Sequence, residues 1–359
     1  WETWFSVQQT FKIEITAQRS PLKSLNFAAL RIKDAVADRF RAKAGVRPSV
    51  DTHYPQVRIH GHLDAQHLTL YIDTSGEPLF KRGWRQDKGD APLKETLAAA
   101  ILAASGWQPQ SGQALYDPCC GSGTIVIEAA QMACRIAPGG QRRFAFERLL
   151  PHQPALWQQL LHEARAAEIR PQDIFIFGSD VSHRIVDFAQ RNAERAGVAH
   201  AVQLRGGDAL QRMPPVDGTG VLLLNPPYGE RIAAAGVAGQ DAAARARRMA
   251  DAGRERAVMT EDAANGGEAD FFARLASHWK KHYVGWKAWV LSPDMTLPGR
   301  MRLQASRRVP LWNGPIECRL FCFDIVSGSP VKDRPERDRP PAEKDTQGVH
   351  NRPRGNAAP

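Results

Sequence analysis

Asp117-Pro118-Cys119-Cys120-Gly121-Ser122-Gly123-Thr124 stands between a short apolar run, Ala114 to Asp117, and a segment from Thr124 to Ile136 whose apolar residues keep helical spacing. A strand that turns through glycines into a helix is the repeating unit of doubly wound α/β sheets. Its turn lies at the carboxyl edge of the sheet, where such folds bind ligands. A Gly-x-Gly turn alone is weak evidence, because any tight strand-to-helix turn favours glycine. Two later strand ends strengthen it. A strand over 174–180 closes on Asp180 in Phe177-Gly178-Ser179-Asp180, and a strand from Ala201 to Leu204 is followed by Gly206-Gly207-Asp208-Ala209. Either acid alone is an ordinary cap or turn residue. Three in register along successive units make a cofactor cleft, with Asp180 able to accept both hydroxyls of a ribose and Asp208 to accept an adenine amine. The turn lacks Gly-x-Gly-x-x-Gly and the chain lacks a Gly-x-x-x-x-Gly-Lys-Ser/Thr string, so a nucleoside without phosphates fits best, which points to S-adenosylmethionine.

Helices and strands alternate on both sides of this turn, as in a parallel sheet with crossover helices. A helix runs from Pro92 to Ser105, and another from Ser182 to Ala196, capped by Ser182 and stopped by Gly197. A strand Gly220 to Leu224, a helix near Asp270 to His282, a strand Trp286 to Leu291 and a last strand or hairpin over Val309 to Ile325 follow. Residues 1–90 read differently, as a small α+β unit. Phe11-Lys12-Ile13-Glu14-Ile15 alternates with period two, Leu25 to Phe40 keeps its apolar residues three and four apart, and strands Val57 to Leu63 and Leu68 to Asp73 follow.

The fourth strand of the alternating region ends in Leu224-Asn225-Pro226-Pro227-Tyr228-Gly229. Two prolines remove two backbone donors and stiffen the turn, so carbonyl oxygens and the Asn225 amide oxygen project from the strand end, where an amine can be gripped. Methyl transfer from a sulfonium needs the amine lone pair in line with the S–CH3 bond, and acceptors for the amine hydrogens favour that alignment and stabilise the charge that grows on nitrogen. Tyr228 offers a face for an extruded base. In isolation the same string is a proline-rich turn packed beside a sheet.

In this order the strings resemble the amino-methyltransferases of class I fold. Phe80-Lys81-Arg82-Gly83-Trp84-Arg85, Pro92-Leu93-Lys94-Glu95-Thr96 and Asn225-Pro226-Pro227-Tyr228-Gly229-Glu230-Arg231 resemble more narrowly the RlmL branch of bacterial 23S rRNA guanine-N2 methyltransferases. The resemblance implies a Rossmann-like domain with a mostly parallel seven-stranded sheet over 91–326, carrying an insert at 233–268. A THUMP-like RNA-binding domain over 1–90 would precede it; by composition, Pro with both charge signs and no aromatics, 327–359 reads as a disordered tail. It further implies that Asp117, Pro118, Cys119, Gly121, Gly123 and Thr124 line the cofactor and that Asp180, Val181, Asp208, Ala209 and Asn225 complete its nucleoside side. Lys94, Glu95 and Thr96 would lie at its methionine end, and Asn225, Pro226, Pro227 and Tyr228 would carry the target guanine. Family members have a further module before THUMP, so the sequence reads as a fragment. Adenine-N6 and tRNA guanine-N2 methylation, and a noncatalytic role in ribosome assembly, are the competing readings.

The resemblance further implies a cytoplasmic monomer that acts on 23S rRNA or a large-subunit assembly intermediate, without metal or membrane. The chain's 359 residues exceed the roughly 150 of one domain. The net charge of +10 suits a polyanion. No apolar run reaches the ~18 residues of a membrane helix, and five cysteines without a Cys-x-x-Cys pair read as reduced thiols rather than zinc ligands. The chain starts at Trp1 with no charged-then-apolar leader. Lys81, Arg82, Trp84 and Arg85 are expected to form a basic and aromatic strip facing RNA, with Arg231 as a further contact; a solvated linker around one packed Trp is the competing reading. The Ala-, Gly- and Arg-rich stretch 233–268 is compatible with an exposed helix or with disorder.

Overall fold

The period-two alternation after Thr10 produces β1 (Phe11–Ala17), and the amphipathic run that follows produces α1 (Leu25–Ala44). The Ser24 hydroxyl accepts from the Phe27 amide at one end of this helix, and Gly45 at φ 74 ends it. β2 (Val57–Leu63) pairs parallel with β1, and β3 (Leu68–Ile72) pairs antiparallel with β2, which gives a three-stranded sheet in the order β1-β2-β3. Ile32, Val36 and Phe40 of α1 pack with Phe5, Phe11, Val57 and Ile59. Burying one such side chain is worth about 1.5–3 kcal/mol, and this cluster is the main apolar store of the unit. Leu149 and the half-buried Phe146 join it from far along the chain, and the Leu150 and Phe146 amides donate to Trp4 O at 2.9 Å and Thr74 O at 3.1 Å.

The computed structural model describes residues 1–88, 93–173, 175–226 and 271–327, together with the backbone of 261–270. After the first sheet come α2 (Glu95–Ser105), β4 (Ala114–Asp117), α3 (Thr124–Ala133), α4 (Pro154–Ala166), β5 (Ile176–Asp180), α5 (His183–Arg195), β6 (Gln203–Gly206) and β7 (Gly220–Leu224). Then follow α6 (Glu261–His282), β8 (Lys287–Ser292), α7 (Leu297–Met301), β9 (Arg307–Asn313) and β10 (Ile316–Asp324). The seven strands β4 to β10 form one sheet in the order β6-β5-β4-β7-β8-β10-β9. β6 through β8 run parallel, and β10 is antiparallel to both β8 and β9. This is the mostly parallel α/β sheet that the sequence led us to expect. Residues Trp1–Ser327 form one compact unit.

Both faces of the central strands are covered. On β7, Val221 and Leu223 face the core built with α2, α3 and α5, while Leu222 and Leu224 face the core that holds Phe272, Trp279 and Tyr283 of the α6 side. A strand buried on both sides reads as a continuous apolar run, as Val-Leu-Leu-Leu does here. Two local expectations are corrected. α3 stops at Ala133 rather than Ile136, because Arg135 takes φ 55 and breaks the helical backbone. β6 starts at Gln203, since Ala199–Ala201 close a 3-10 turn first. Of the two forms expected for the last element, strand or hairpin, it takes the hairpin, which reverses at Gly314, φ 65. α4 has no counterpart in the sequence reading.

Candidate active site

Strand register brings three acids to one edge. Asp117 pairs with Gly178, Asp180 with Gly206, and Tyr116 with Leu222, so the carboxyl ends of β4, β5, β6 and β7 lie side by side. The turn after β4 depends on its glycines. Gly121 and Gly123 take φ 53 and 88, and a Cβ on Gly123 would stand 3.0 Å from the Ala189 methyl and 3.1 Å from Ile127 Cδ1. The Cys120 amide donates to Ser179 O at 2.9 Å, which staples the turn to β5. Beneath it, the Tyr116 hydroxyl and Ser179 Oγ are 2.6 Å apart.

The acids of this edge receive backbone donors. Asp117, 1% exposed, accepts from the Cys119 amide at 3.0 Å; burial pushes its carboxyl well above the usual carboxylate range, and the charge of Asp180 adds to the effect. Asp180 accepts from Gly121 N at 3.1 Å on one oxygen and from Ser182 N at 3.0 Å on the other, and burial raises it as well. A carboxylate offers about four acceptor positions, so two remain for a ligand. Ser182 caps α5 with no side-chain hydrogen bond of its own. Asp208 accepts from the Leu210 amide at 2.9 Å, beside buried Ala209. Val181, 37% exposed, borders the edge. Burial, Asp117 and Asp180 push the thiols of Cys119 and Cys120 well above the normal thiol value, so both stay protonated and are poor nucleophiles. Pro118 O lies 3.5 Å from Ser179 Oγ, Asn225 is half-buried at the end of β7 and Pro226 is buried. Pro227, Tyr228 and Arg231 lie outside the described residues.

A second wall is tied to the first by arginines. Arg85 Nε forms an ion pair with Glu95 Oε1 at 2.9 Å, and its Nη2 donates to Thr124 Oγ1 at 2.7 Å and to Leu93 O at 2.8 Å. The start of α2 is thereby linked to the start of α3. Arg82 reaches both Glu128 carboxylate oxygens, at 3.2 and 3.3 Å. Burial raises Glu95 and Glu128, while the arginines pull them back down. Asn192, fully buried, donates to Ser122 O at 3.1 Å and Asp87 O at 2.8 Å, which ties the glycine turn to the segment after β3. Lys94 and Thr96 are exposed at the start of α2, and Lys94 Nζ lies 5.2 Å from the Phe80 ring centre.

The expected RNA-facing strip is corrected accordingly. Trp84 is 1% exposed, and Arg82 and Arg85 are withdrawn into ion pairs with buried glutamates, so these three have no face left for RNA. Lys81 remains exposed, beside Glu77. The structural role of Arg82 had one visible signal, Glu128, a lone acid in the apolar helix Thr124-Ile125-Val126-Ile127-Glu128-Ala129-Ala130, which has to meet a cation once buried.

A cavity of about 560 Å³, lined by Gln110, Ile169, Phe175 and Thr219 among others, opens at the amino ends of the strands, the edge opposite to the acids. Among the described residues no group of three or more His, Cys, Asp or Glu could hold a metal ion, and no helix is long and apolar enough to cross a membrane.

Residues 82–264 match the family model described as RMKL-like, methyltransferase domain, and residues 1–73 match that of the THUMP domain. Over 333 residues the chain is 40% identical to a ribosomal RNA large subunit methyltransferase K/L of Shewanella loihica, an alignment covering 92% of this chain and 42% of that protein. The chain thus spans less than half the length of this curated relative. Among solved structures, SMU.472, assigned as a methyltransferase and complexed with SAH, superposes with a TM-score of 0.73 at 27% identity, covering 92% of this chain and 78% of that one. A protein of Listeria monocytogenes described as a predicted N6-adenine-specific DNA methylase superposes with a TM-score of 0.72 at 26% identity, covering 90% and 75%.

Proposed function

The chain belongs to the RMKL-like methyltransferase family, and from that premise we propose that it methylates the exocyclic N2 amine of a guanine in 23S ribosomal RNA, using S-adenosylmethionine. The observation that carries the reading is the row of acids Asp117, Asp180 and Asp208 along the carboxyl edge, with Asn225 ending the next strand. The name of the Shewanella relative supports the rRNA substrate, and the SAH complex of SMU.472 supports the cofactor. The residues fit such a group: Asp180 keeps acceptor capacity for two ribose hydroxyls beyond its two backbone donors, and the positive-φ glycines present no Cβ to an approaching nucleoside. In this reading Asp117, Pro118, Cys119, Gly121, Gly123 and Thr124 form the floor, Asp208 and Ala209 the adenine side, and Lys94 to Thr96 the methionine end. Residues 1–90 serve as the RNA-binding module and 91–326 as the catalytic one.

When bound, the cofactor supplies an electrophilic methyl group on a sulfonium. The remaining work falls to the chain. Asn225 accepts a hydrogen bond from the target amine, fixes the direction of its lone pair and stabilises the positive charge that develops on nitrogen. The rigid ring of Pro226, directly after it, holds that acceptor still. Asn225→Ala therefore abolishes methylation, by about 10² to 10³ in rate, while SAH affinity measured by calorimetry stays nearly intact. Parallel loss of both would place Asn225 on the cofactor side instead. The Listeria structure favours one second reading, transfer to adenine N6, since an amide acceptor grips either amine. Mass analysis of nucleosides from treated rRNA separates N2-methylguanosine from N6-methyladenosine.

A further inference from the structure

We propose that a cationic groove between the three-stranded sheet and the 142–148 segment is an RNA-docking site, holding backbone phosphates on arginines and one unpaired base on Tyr54. The proposal rests on the RNA-methylation reading above and adds to it a place where the substrate strand is held away from the chemistry. The groove is a cavity of about 480 Å³. One wall comes from the first unit, with Arg58 on β2 and the turn from Asp73 to Lys81; the other carries Arg142, Arg143 and Arg148.

Three features make it a formed site rather than a solvated charge run. First, its walls are fastened together. Arg142 donates to Pro78 O at 2.8 Å, to Ser75 O at 3.0 Å and to Glu77 O, and its guanidinium packs 4.9 Å from the centre of the Phe144 ring. The Phe146 amide donates to Thr74 O at 3.1 Å on the same seam. Second, positive charge is in excess: Arg58, Lys81, Arg142, Arg143 and Arg148 stand against Asp73 and Glu77. Both acids in the lining are engaged: Asp73 accepts the Ser75 and Gly76 amides at 2.9 and 3.0 Å, and Glu77 pairs with Lys81. Arg58, Arg143 and Arg148 form no ion pair among the described residues, although Arg143 is exposed and free to reach one. Third, Tyr54 stands at the rim 87% exposed, on a turn fixed by Asp51, which accepts the His53 and Tyr54 amides at 2.9 and 3.0 Å. A tyrosine held in water beside unpaired arginines has no apolar cluster to join. Arginines that take phosphates and an aromatic face that takes a base are together the chemistry of single-stranded nucleic acid.

The test uses the full chain and a fluorescein-labelled RNA hairpin with a single-stranded loop, followed by anisotropy across a sodium chloride series. The double reversal Arg143→Glu with Arg148→Glu lowers affinity at least about tenfold and flattens the slope of log K against log salt by about 1.4, the release expected for two single-strand phosphate contacts. SAH binding by calorimetry stays unchanged, which shows the fold intact. Tyr54→Ala weakens RNA binding and Tyr54→Phe does not. The same charge change at Lys287 and Arg307, exposed on β8 and β9 outside the groove, has a much smaller effect. Equal losses from both double reversals, or native affinity and slope in the groove variant while the parent chain binds, overturn the groove and leave the RNA reading standing. Failure of the parent chain to bind RNA overturns both.

Discussion

Asp117 and Asp180, at the ends of β4 and β5, and Glu95 and Glu128, on α2 and α3, are all carboxylates withdrawn from water, and burial raises all four. Their partners differ. The glutamates face guanidinium groups, Arg85 at 2.9 Å and Arg82 at 3.2 Å, whereas the aspartates receive hydrogen bonds from the amides of Cys119, Gly121 and Ser182. A buried pair that is neutral overall is a finished structural object. A desolvated acid held only by backbone amides keeps spare lone pairs for something else, at a cost in stability that the rest of the fold carries. The two sets meet at Thr124, whose hydroxyl accepts from Arg85 while its backbone begins the helix after the glycine turn.

The largest break of this contrast comes from removing a cation. Arg85→Ala leaves Glu95 buried without its partner and also strips Thr124 and Leu93 O of a donor, so urea unfolding should show a loss of about 3–5 kcal/mol. Replacing both partners with apolar residues, Arg85→Met with Glu95→Leu, should restore most of it, because no charge is then stranded. A single replacement with an unmoved midpoint would mean that water reaches Glu95.

Removing an acid from the other set has the opposite pattern. Asp180→Ala should weaken SAH markedly, by about 1.5–3 kcal/mol for each charged hydrogen bond to the ribose, while its unfolding midpoint shifts far less than that of Arg85→Ala. The amides of Gly121 and Ser182 lose their acceptor, but so is a desolvated charge lost, and the two effects offset. Unchanged SAH affinity would remove Asp180 from the cofactor side.

The contrast also explains what could be read in the sequence. β4 and β7 were legible to the residue, because a strand covered on both faces leaves an unbroken apolar run ended by a turn residue, Asp117 in one case and Asn225 in the other. The acids of the edge were legible for a related reason: Asp117 and Asp180 end their strands and Asp208 lies two residues past β6, so chain position gives spatial position. Arg82, Trp84 and Arg85 misled, since a basic and aromatic string looks the same whether it faces water or a buried glutamate, and Glu128 lies far along the chain from its partner Arg82. α4 escaped because none of its residues is buried; its anchor is Trp157, edge-on to Phe144 and Phe146, and such a helix leaves no core stripe to detect.

The smallest effect, and the one that sharpens the comparison most, is on pH. Folded-state carboxyls raised above their unfolded value, as at Asp117 and Asp180, favour the fold while protonated, and that contribution is lost as pH rises through the raised value. Asp87 is the reverse: Arg191 and Arg195 hold it down to about 2, so its contribution is present above the unfolded value near 3.9 and fades as pH falls toward 2. Unfolding alone therefore mixes opposing slopes in acid. SAH binding isolates one of them, because a ribose hydroxyl donates far better to an ionised carboxylate than to a protonated one. Affinity should be flat near neutrality and decline on acidification, beginning above the ordinary aspartate range near 3.9 and falling at most about tenfold per pH unit for each proton taken up. Calorimetry in two buffers of different ionisation enthalpy should detect proton release on binding within that window. Asp180→Asn, which keeps an acceptor oxygen but cannot titrate, should bind more weakly and lose most of the slope; what slope persists belongs to Asp117. A full native slope in Asp180→Asn would mean that Asp180 is not the group whose ionisation the cofactor requires.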